Sequence, residues 1–312
     1  MNTADIAASI AQSKKYKALY RPTIERVVNA CVDAHGSVAA ADDVARTILH
    51  QIWGSYYPVR PNFKKLWDKF QAAVQADGRE QAIEMVLRLH ASSAERLPFF
   101  NEFYKKIFAL TGTPSSIVDH GCCLNPIAFE RMIASVLVSS EAPEPKPHAD
   151  SSEYLGMTIP FLTSSPPSVI PKPRDLHLSR INYRAFDIDV EEVAFLQQAC
   201  ALLGYGDEVQ VATGDVIADE AVPANVVFML KLLPVLEQQQ KGSAREMLLK
   251  QRAKWLVVSY PVASLSGKEK GMIEFYTNQF LDMVDGLEWE IHKLIFPTEL
   301  VFVVDTKPAD LI

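Results

Sequence analysis

The stretch SIVDHGCCLNP, residues 116–126, decides the fold. Ser116, Ile117, Val118 and Asp119 form a short apolar run ending in an acid. His120, Gly121, Cys122 and Cys123 then turn the chain toward Leu124, Asn125, Pro126 and a helical pattern. An apolar strand, an acid and a glycine turn opening a helix start a nucleotide-type βαβ unit. Glycine at the turn lets the backbone approach a ligand that a side chain would block. With a single glycine, the same residues also read as an ordinary strand–helix turn, so the neighbouring segments must decide.

Downstream, NYRAFDID, EVQVATGD, NVVFMLK, WLVVSY and ELVFVVD repeat the texture: short apolar runs, often ending in a polar or acidic residue, with helical stretches between most of them. Strands alternating with helices make a parallel sheet with crossovers, the α/β class. The last run follows WEIHKLIF across a proline-containing turn, which predicts an antiparallel pair there. Upstream, from Ile6 to about Leu110, apolar residues recur at three and four positions, as in Ile24, Val27, Val28, Cys31 and Ile83, Val86, Leu87. That period predicts helices only. They break at Arg21-Pro22, at His35-Gly36, from Tyr57-Pro58 to Pro61, and at Asp77-Gly78. The expected division is a helical domain over 1–110 and a Rossmann-like domain over 111–312. Between the first two strands, residues 138–180 hold 8 of the 19 prolines. Proline removes amide donors and fixes φ, so this reads as a surface insertion.

Composition limits the function classes. The chain has 312 residues, 48% hydrophobic and 22% charged, with no apolar run of the roughly 18 residues a membrane span needs. The N-terminus lacks the apolar core of a signal peptide. Four cysteines, none spaced C-x-x-C, argue against a disulfide framework and a structural zinc, and for a reducing cytoplasm. The net charge of −7 is unevenly shared: residues 1–110 carry 15 Lys and Arg against 11 Asp and Glu. Lys14, Lys15, Lys17, Arg21, Arg26, Arg46, Arg60, Lys64 and Lys65 read either as a solvated helix surface or as a face for phosphates.

The strand ends carry the chemistry. Asp187, in FDID, is placed to accept ribose hydroxyls, or reads as an acid at a helix N-terminus. Asp215 follows the next strand, where it or Val216 can reach an adenine edge. No G-x-x-x-x-G-K-[ST] and no full G-x-G-x-x-G is present, so the cofactor should lack phosphates. S-adenosylmethionine fits.

At this point the chain resembles the Arm/Rmt type of aminoglycoside-resistance 16S rRNA (guanine-N7) methyltransferases. The resemblance rests on SKKYKALY (13–20), LHASSAERL (89–97), GCCLNPIAF (121–129), FDID (186–189), GDV (214–216), MLKLLPVLEQQQKGSA (229–244) and SYPVASLSGKEKGM (259–272). It implies a helical rRNA-binding domain ahead of a Rossmann-like methyltransferase domain, S-adenosylmethionine as cofactor, and the 30S subunit as partner of a monomer. It also implies that His90, Ala91, Ser92 and Arg96 line the methionine end, with Arg96 pairing with the cofactor carboxylate. Gly121 then lies under the cofactor, Asp187 holds the ribose, Asp215 and Val216 meet the adenine, and Leu230 and Gln239 complete the wall. For rRNA the candidates are Lys14, Lys15, Arg21, Arg46, Lys268 and Lys270. Two positions depart from the family pattern: Cys123 replaces the second glycine of G-C-G-L-N-P, and Ala263 stands where an arginine is usual.

Guanine N7 has an in-plane lone pair and no proton, so the chemistry needs no general base, and catalysis rests on proximity and orientation. Cys122 and Cys123 read as packing residues rather than nucleophiles. Tyr16, Trp53, Tyr56 and Tyr57 are candidates to stack on an unstacked base, or are core. Two alternatives remain from residues alone: a non-catalytic rRNA-binding or ribosome-assembly protein, and a methyltransferase acting on a small molecule.

Overall fold

Seven helices precede the first strand in the computed structural model, which describes residues 2–35, 38–53, 57–140, 181–262 and 269–307. They are α1 (Thr3–Gln12), α2 (Arg21–His35), α3 (Val38–Trp53), α4 (Phe63–Gln75), α5 (Arg79–Leu87), α6 (Ala91–Arg96) and α7 (Phe100–Thr111). Their ends follow local chemistry. Asn2 and Asp5 form a reciprocal capping box at α1, and Asn62 accepts from the Lys65 amide to start α4. Pro22 sits in the first turn of α2, where its missing amide costs nothing.

The sheet follows: β1 (Ser116–His120), β2 (Asn182–Asp187), β3 (Val209–Thr213), β4 (Ala224–Leu230), β5 (Ala253–Pro261), β6 (Glu290–Phe296) and β7 (Glu299–Asp305). Its helices are α8 (Phe129–Ser140), α9 (Val190–Leu202), α10 (Leu233–Gln239), α11 (Ser243–Lys250) and α12 (Glu269–Met283). The strand order is β3-β2-β1-β4-β5-β7-β6. All pairings from β3 to β5 are parallel, and β7 runs antiparallel to both β5 and β6. The expected α/β class and the expected β6–β7 pair are both present. Strands β4 and β7 are buried along almost their whole length. That explains why they read as unbroken apolar runs rather than alternating ones. No helix is present among residues 214–223 between β3 and β4; Lys250 Nζ instead holds the carbonyls of Val216, Ile217 and Asp219.

The core has three parts. One face of the sheet packs with α4–α9, the other with α10–α12, and α1–α3 enclose a separate cluster around Ile10, Ile24, Val28 and Leu49. Packing therefore divides the chain between α3 and α4, not at residue 110. The cause is aromatic: Phe63 and Phe70 on α4 meet Phe195 on α9 at 5.8 and 5.9 Å, and Tyr104 on α7 meets Phe228 on β4 at 6.0 Å. Among the described residues no helix is long and apolar enough to cross a membrane. Most of the proline-rich stretch, 141–180, lies outside the described residues, as do Tyr56, Ala263 and Lys268.

Candidate active site

Strand order reverses at β1, which pairs with β2 on one side and β4 on the other. Open α/β sheets bind ligands at that switch point, beyond the carboxyl ends of the strands. A cavity open to solvent lies there. Gly121, Cys123, Asp187, Asp215, Leu230 and Lys231 come from the strand ends, Val235, Leu236 and Gln239 from α10, and Thr23, Arg26, Ile52 and Trp53 from α2 and α3.

The turn after β1 is shaped for close approach. Gly121 has φ +62°, and a Cβ on it would sit 3.1 Å from Leu232 Cδ1 on the cavity wall. Cys123 also adopts a left-handed conformation, with φ +46°, and its Sγ donates to the Gly121 carbonyl at 3.4 Å. Its amide donates to Asp187 Oδ2 at 3.0 Å, while the Asp189 amide donates to Asp187 Oδ1 at 3.1 Å. Asp187 thus joins the turns after β1 and β2. Burial pushes its pKa from 3.8 up to about 6 against these amide bonds. Behind it, burial likewise lifts Asp119 to about 6, although Tyr183 and Asn125 both donate to its Oδ2. Burial and the neighbouring Asp187 keep the thiols of Cys122 and Cys123 protonated well above the usual range, so neither is a nucleophile at neutral pH.

A second set of residues joins the sheet to the N-terminal helices. Asp189 caps α9, accepting from the Glu192 amide at 3.0 Å, and also accepts from Trp53 Nε1 at 2.8 Å and from Arg60. Tyr57 donates to Glu192 Oε2 at 2.6 Å and meets the His90 ring edge-on at 5.0 Å. Burial, then Arg96 and Lys231, push His90 down to about 3, so its imidazole is neutral at pH 7. Lys231, left-handed at φ +56° and buried, lines the cavity and pairs with Glu95 at 2.6 Å.

Of the ten residues expected around a cofactor, His90, Ser92, Gly121, Asp187, Asp215, Val216, Leu230 and Gln239 line this one cavity. Ala91 and Arg96 are not among its lining residues. The Arg96 guanidinium is buried and takes Glu299 on β7, Nη2 to Oε1 at 2.7 Å and Nε to Oε2 at 3.1 Å. Burial opposes that charge, but Glu299 keeps it protonated. The cations that do line the cavity are Arg26 and Lys231. Sequence reasoning singled out neither for this role, although Lys231 lies inside the MLKLLP stretch and Arg26 was counted with the basic surface.

The rRNA candidates sit apart from the cavity floor. Lys14 and Lys15, both exposed, line a groove with Lys17, His50, Trp53, Tyr57 and Arg60. Arg21 and Arg46 are on α2 and α3, each in an exposed or half-exposed pair one turn along its own helix, with Glu25 and Asp42. Such pairs are weak and yield easily to a phosphate. Lys268 and the side chain of Lys270 lie outside the described residues. Tyr16 is core, its hydroxyl donating to the Arg46 carbonyl at 2.8 Å, so it is no stacking platform. Trp53 and Tyr57 line both the cavity and the basic groove.

Comparison with known proteins gives a consistent picture. The family described as Ribosomal RNA methyltransferase (FmrO) matches residues 12–142 and 171–303, leaving out the centre of the proline-rich stretch. A 16S rRNA (guanine(1405)-N(7))-methyltransferase of Frankia casuarinae is 30% identical over 96% of this chain and 92% of its own. One of Serratia marcescens is 31% identical over 97% and 98%. Among solved structures, the 16S rRNA methylase RmtB superposes with a TM-score of 0.67 at 25% identity, covering 98% of both chains. The 16S rRNA methyltransferase RmtF in complex with S-adenosyl-L-homocysteine shares the fold, with a TM-score of 0.69 at 24% identity over 98% and 99%.

Proposed function

The chain belongs to the ribosomal RNA methyltransferase (FmrO) family, and from that premise we propose that it is a 16S rRNA (guanine(1405)-N7)-methyltransferase using S-adenosylmethionine. Its substrate is the 30S subunit, on which it acts as a monomer in the cytoplasm. The observation that carries the reading is the wall shared by Trp53 and Tyr57: one side faces a cavity floored by strand-end acids, the other a basic groove. A nucleoside cofactor and an RNA backbone would meet across it.

The cavity fits the cofactor. Asp187 offers a carboxylate for ribose hydroxyls, Asp215 and Val216 lie at the end of β3 for the adenine, and Gly121 keeps the floor free of a side chain. Arg96 is held by the fully buried Glu299, whereas Lys231 pairs with the half-exposed Glu95, so Lys231 is the cation beside His90 and Ser92 freer to meet a carboxylate. Glu192 Oε1 is buried among the lining residues with no hydrogen-bond partner among the described residues, a polar atom left for a ligand. When bound, S-adenosylmethionine supplies an electrophilic methyl carbon on a sulfonium. Transfer of that methyl to guanine N7 would need no general base, because N7 carries an in-plane lone pair and no proton. The protein's own work is therefore to hold two reactants in line, and a neutral His90 and protonated thiols suit that task.

A methyl group on N7 adds bulk and a positive charge to the target base, which opposes a cationic drug bound beside it. Expression in a susceptible bacterium is expected to raise the tolerated concentration of aminoglycosides that bind the decoding site, and the Asp187→Ala variant is expected to raise it less. Equal tolerance with and without the wild-type protein contradicts the proposal.

A further inference from the structure

We propose that α2, a helix of the N-terminal unit, is a wall of the cofactor site, and that Arg26 is a positioning residue for the adenosyl group. The inference rests on the assignment of Asp215 to the adenine end. Arg26 Nε donates to Asp215 Oδ2 at 2.8 Å, and Nη2 of the same guanidinium donates to Gln239 Oε1 at 2.7 Å. These partners stand 189 and 213 residues away in sequence, one on the loop after β3 and one at the end of α10. A single planar fork therefore sets the spacing of two cavity walls, a task that the point charge of lysine does not reproduce. Asp215 Oδ1 accepts from the Ile217 amide at 3.0 Å, so both of its oxygens are fixed in direction.

Two further observations place α2 in the site. Thr23, one turn before Arg26 on the same helix, lines the cavity while almost fully buried, and its hydroxyl has no hydrogen-bond partner among the described residues. A buried hydroxyl without a partner is costly, and a ligand atom is the natural remedy. The chain entering α2 is also tied to the loop that carries the acids. Tyr20 N–H donates to the Ile188 carbonyl at 2.7 Å, Val190 N–H to the Ala18 carbonyl at 2.8 Å, and Leu19 bridges Asp189. The N-terminal helices are thus bonded to the turn that holds Asp187, and α2 carries residues facing both reactants: Arg21 outward, Thr23 and Arg26 inward.

The test is calorimetric titration of S-adenosylhomocysteine into the purified full chain, with melting curves and steady-state kinetics on 30S subunits. Arg26→Ala is expected to weaken binding about tenfold or more and to raise KM for S-adenosylmethionine while kcat is largely kept. Arg26→Lys should restore only part of the affinity. Adding Asp215→Asn to Arg26→Ala should cost much less than the sum of the single losses, because the two act as a pair. Thr23→Val should lower affinity without lowering the ligand-free melting temperature, since it removes an unpaired buried hydroxyl. Wild-type affinity in Arg26→Ala overturns the inference, and so does a loss confined to KM for 30S subunits, which would make Arg26 an RNA contact. Asp187→Asn separates the two levels. If it loses affinity while Arg26→Ala does not, the cofactor site stands and the role of α2 falls. If the wild-type chain binds no S-adenosylhomocysteine, both fall.

Discussion

Asp187 holds its carboxylate between two backbone amides at the edge of the cavity, with a pKa near 6, so its charge state changes in an accessible range. With Asp187 as the proposed acceptor of ribose hydroxyls in its ionised form, cofactor affinity should be level above about pH 6.5 and fall up to about tenfold per pH unit below 6. Folding stability should move the other way. The folded chain keeps protons on Asp187 and Asp119 that the unfolded chain has released, so the stability these two contribute is lost as pH rises from about 4 to about 6. Titrations of S-adenosylhomocysteine from pH 5 to 8 check the first trend, and Asp187→Asn should give weak, flat binding, about 1–3 kcal/mol poorer at pH 7.5. Arg96 makes a different prediction. Its partner Glu299 is fully buried on β7, so Arg96→Met strands a carboxylate and should cost about 3–5 kcal/mol in denaturant unfolding. A loss of cofactor affinity with unchanged stability would instead restore Arg96 to the ligand. At Cys123, glycine removes about 1 kcal/mol of left-handed strain and adds a similar unfolded-state entropy. Cys123→Gly should therefore melt close to wild type and bind cofactor as well or better.

At the scale of elements, every strand was legible because each run is short, apolar and bounded by turn chemistry. Even β6, half-exposed at the sheet edge, was marked by its neighbour β7 and the proline turn between them. The division of the chain was not legible. Helical periodicity reports that a face is buried, not what buries it, so α4–α7 look like α1–α3 although their aromatic faces pack with the sheet. The same limit hides the partners of Arg26 and Arg96, which lie 189 and 203 residues away. Because α1–α3 form their own cluster and carry Lys14, Lys15, Arg21 and Arg46 on or beside them, changing these four residues to Glu should abolish methylation of 30S subunits and leave S-adenosylhomocysteine affinity intact. Each single Ala substitution should flatten the slope of log affinity against log salt by nearly one unit. An unchanged slope for all four would remove this face from the RNA contact. The family match skips residues 143–170. Deleting them should leave the melting temperature and cofactor affinity close to wild type, since loop length alone changes stability little.

Over the whole molecule, charge and topology divide the labour. The chain carries a net −7, yet its first 110 residues hold four more basic than acidic side chains. On the proposed function, this asymmetry would steer an RNA substrate toward the N-terminal third. That third is bonded to the turn after β2 through residues 18–20 and 188–190, so RNA docked there as proposed would sit at a fixed distance from the cavity. The central claim is that this geometry delivers a methyl group to one guanine of assembled small subunits. It is tested most directly by incubating purified 30S subunits with the protein and S-adenosylmethionine carrying a labelled methyl group, then mapping the modified nucleotide in 16S rRNA by chain cleavage at N7-methylguanine. The account predicts close to one methyl per subunit, at guanine 1405, with slower incorporation by the Asp187→Ala variant at a cofactor concentration below its Kd. Label at another nucleotide, or label in small molecules with none in the subunit, would contradict it.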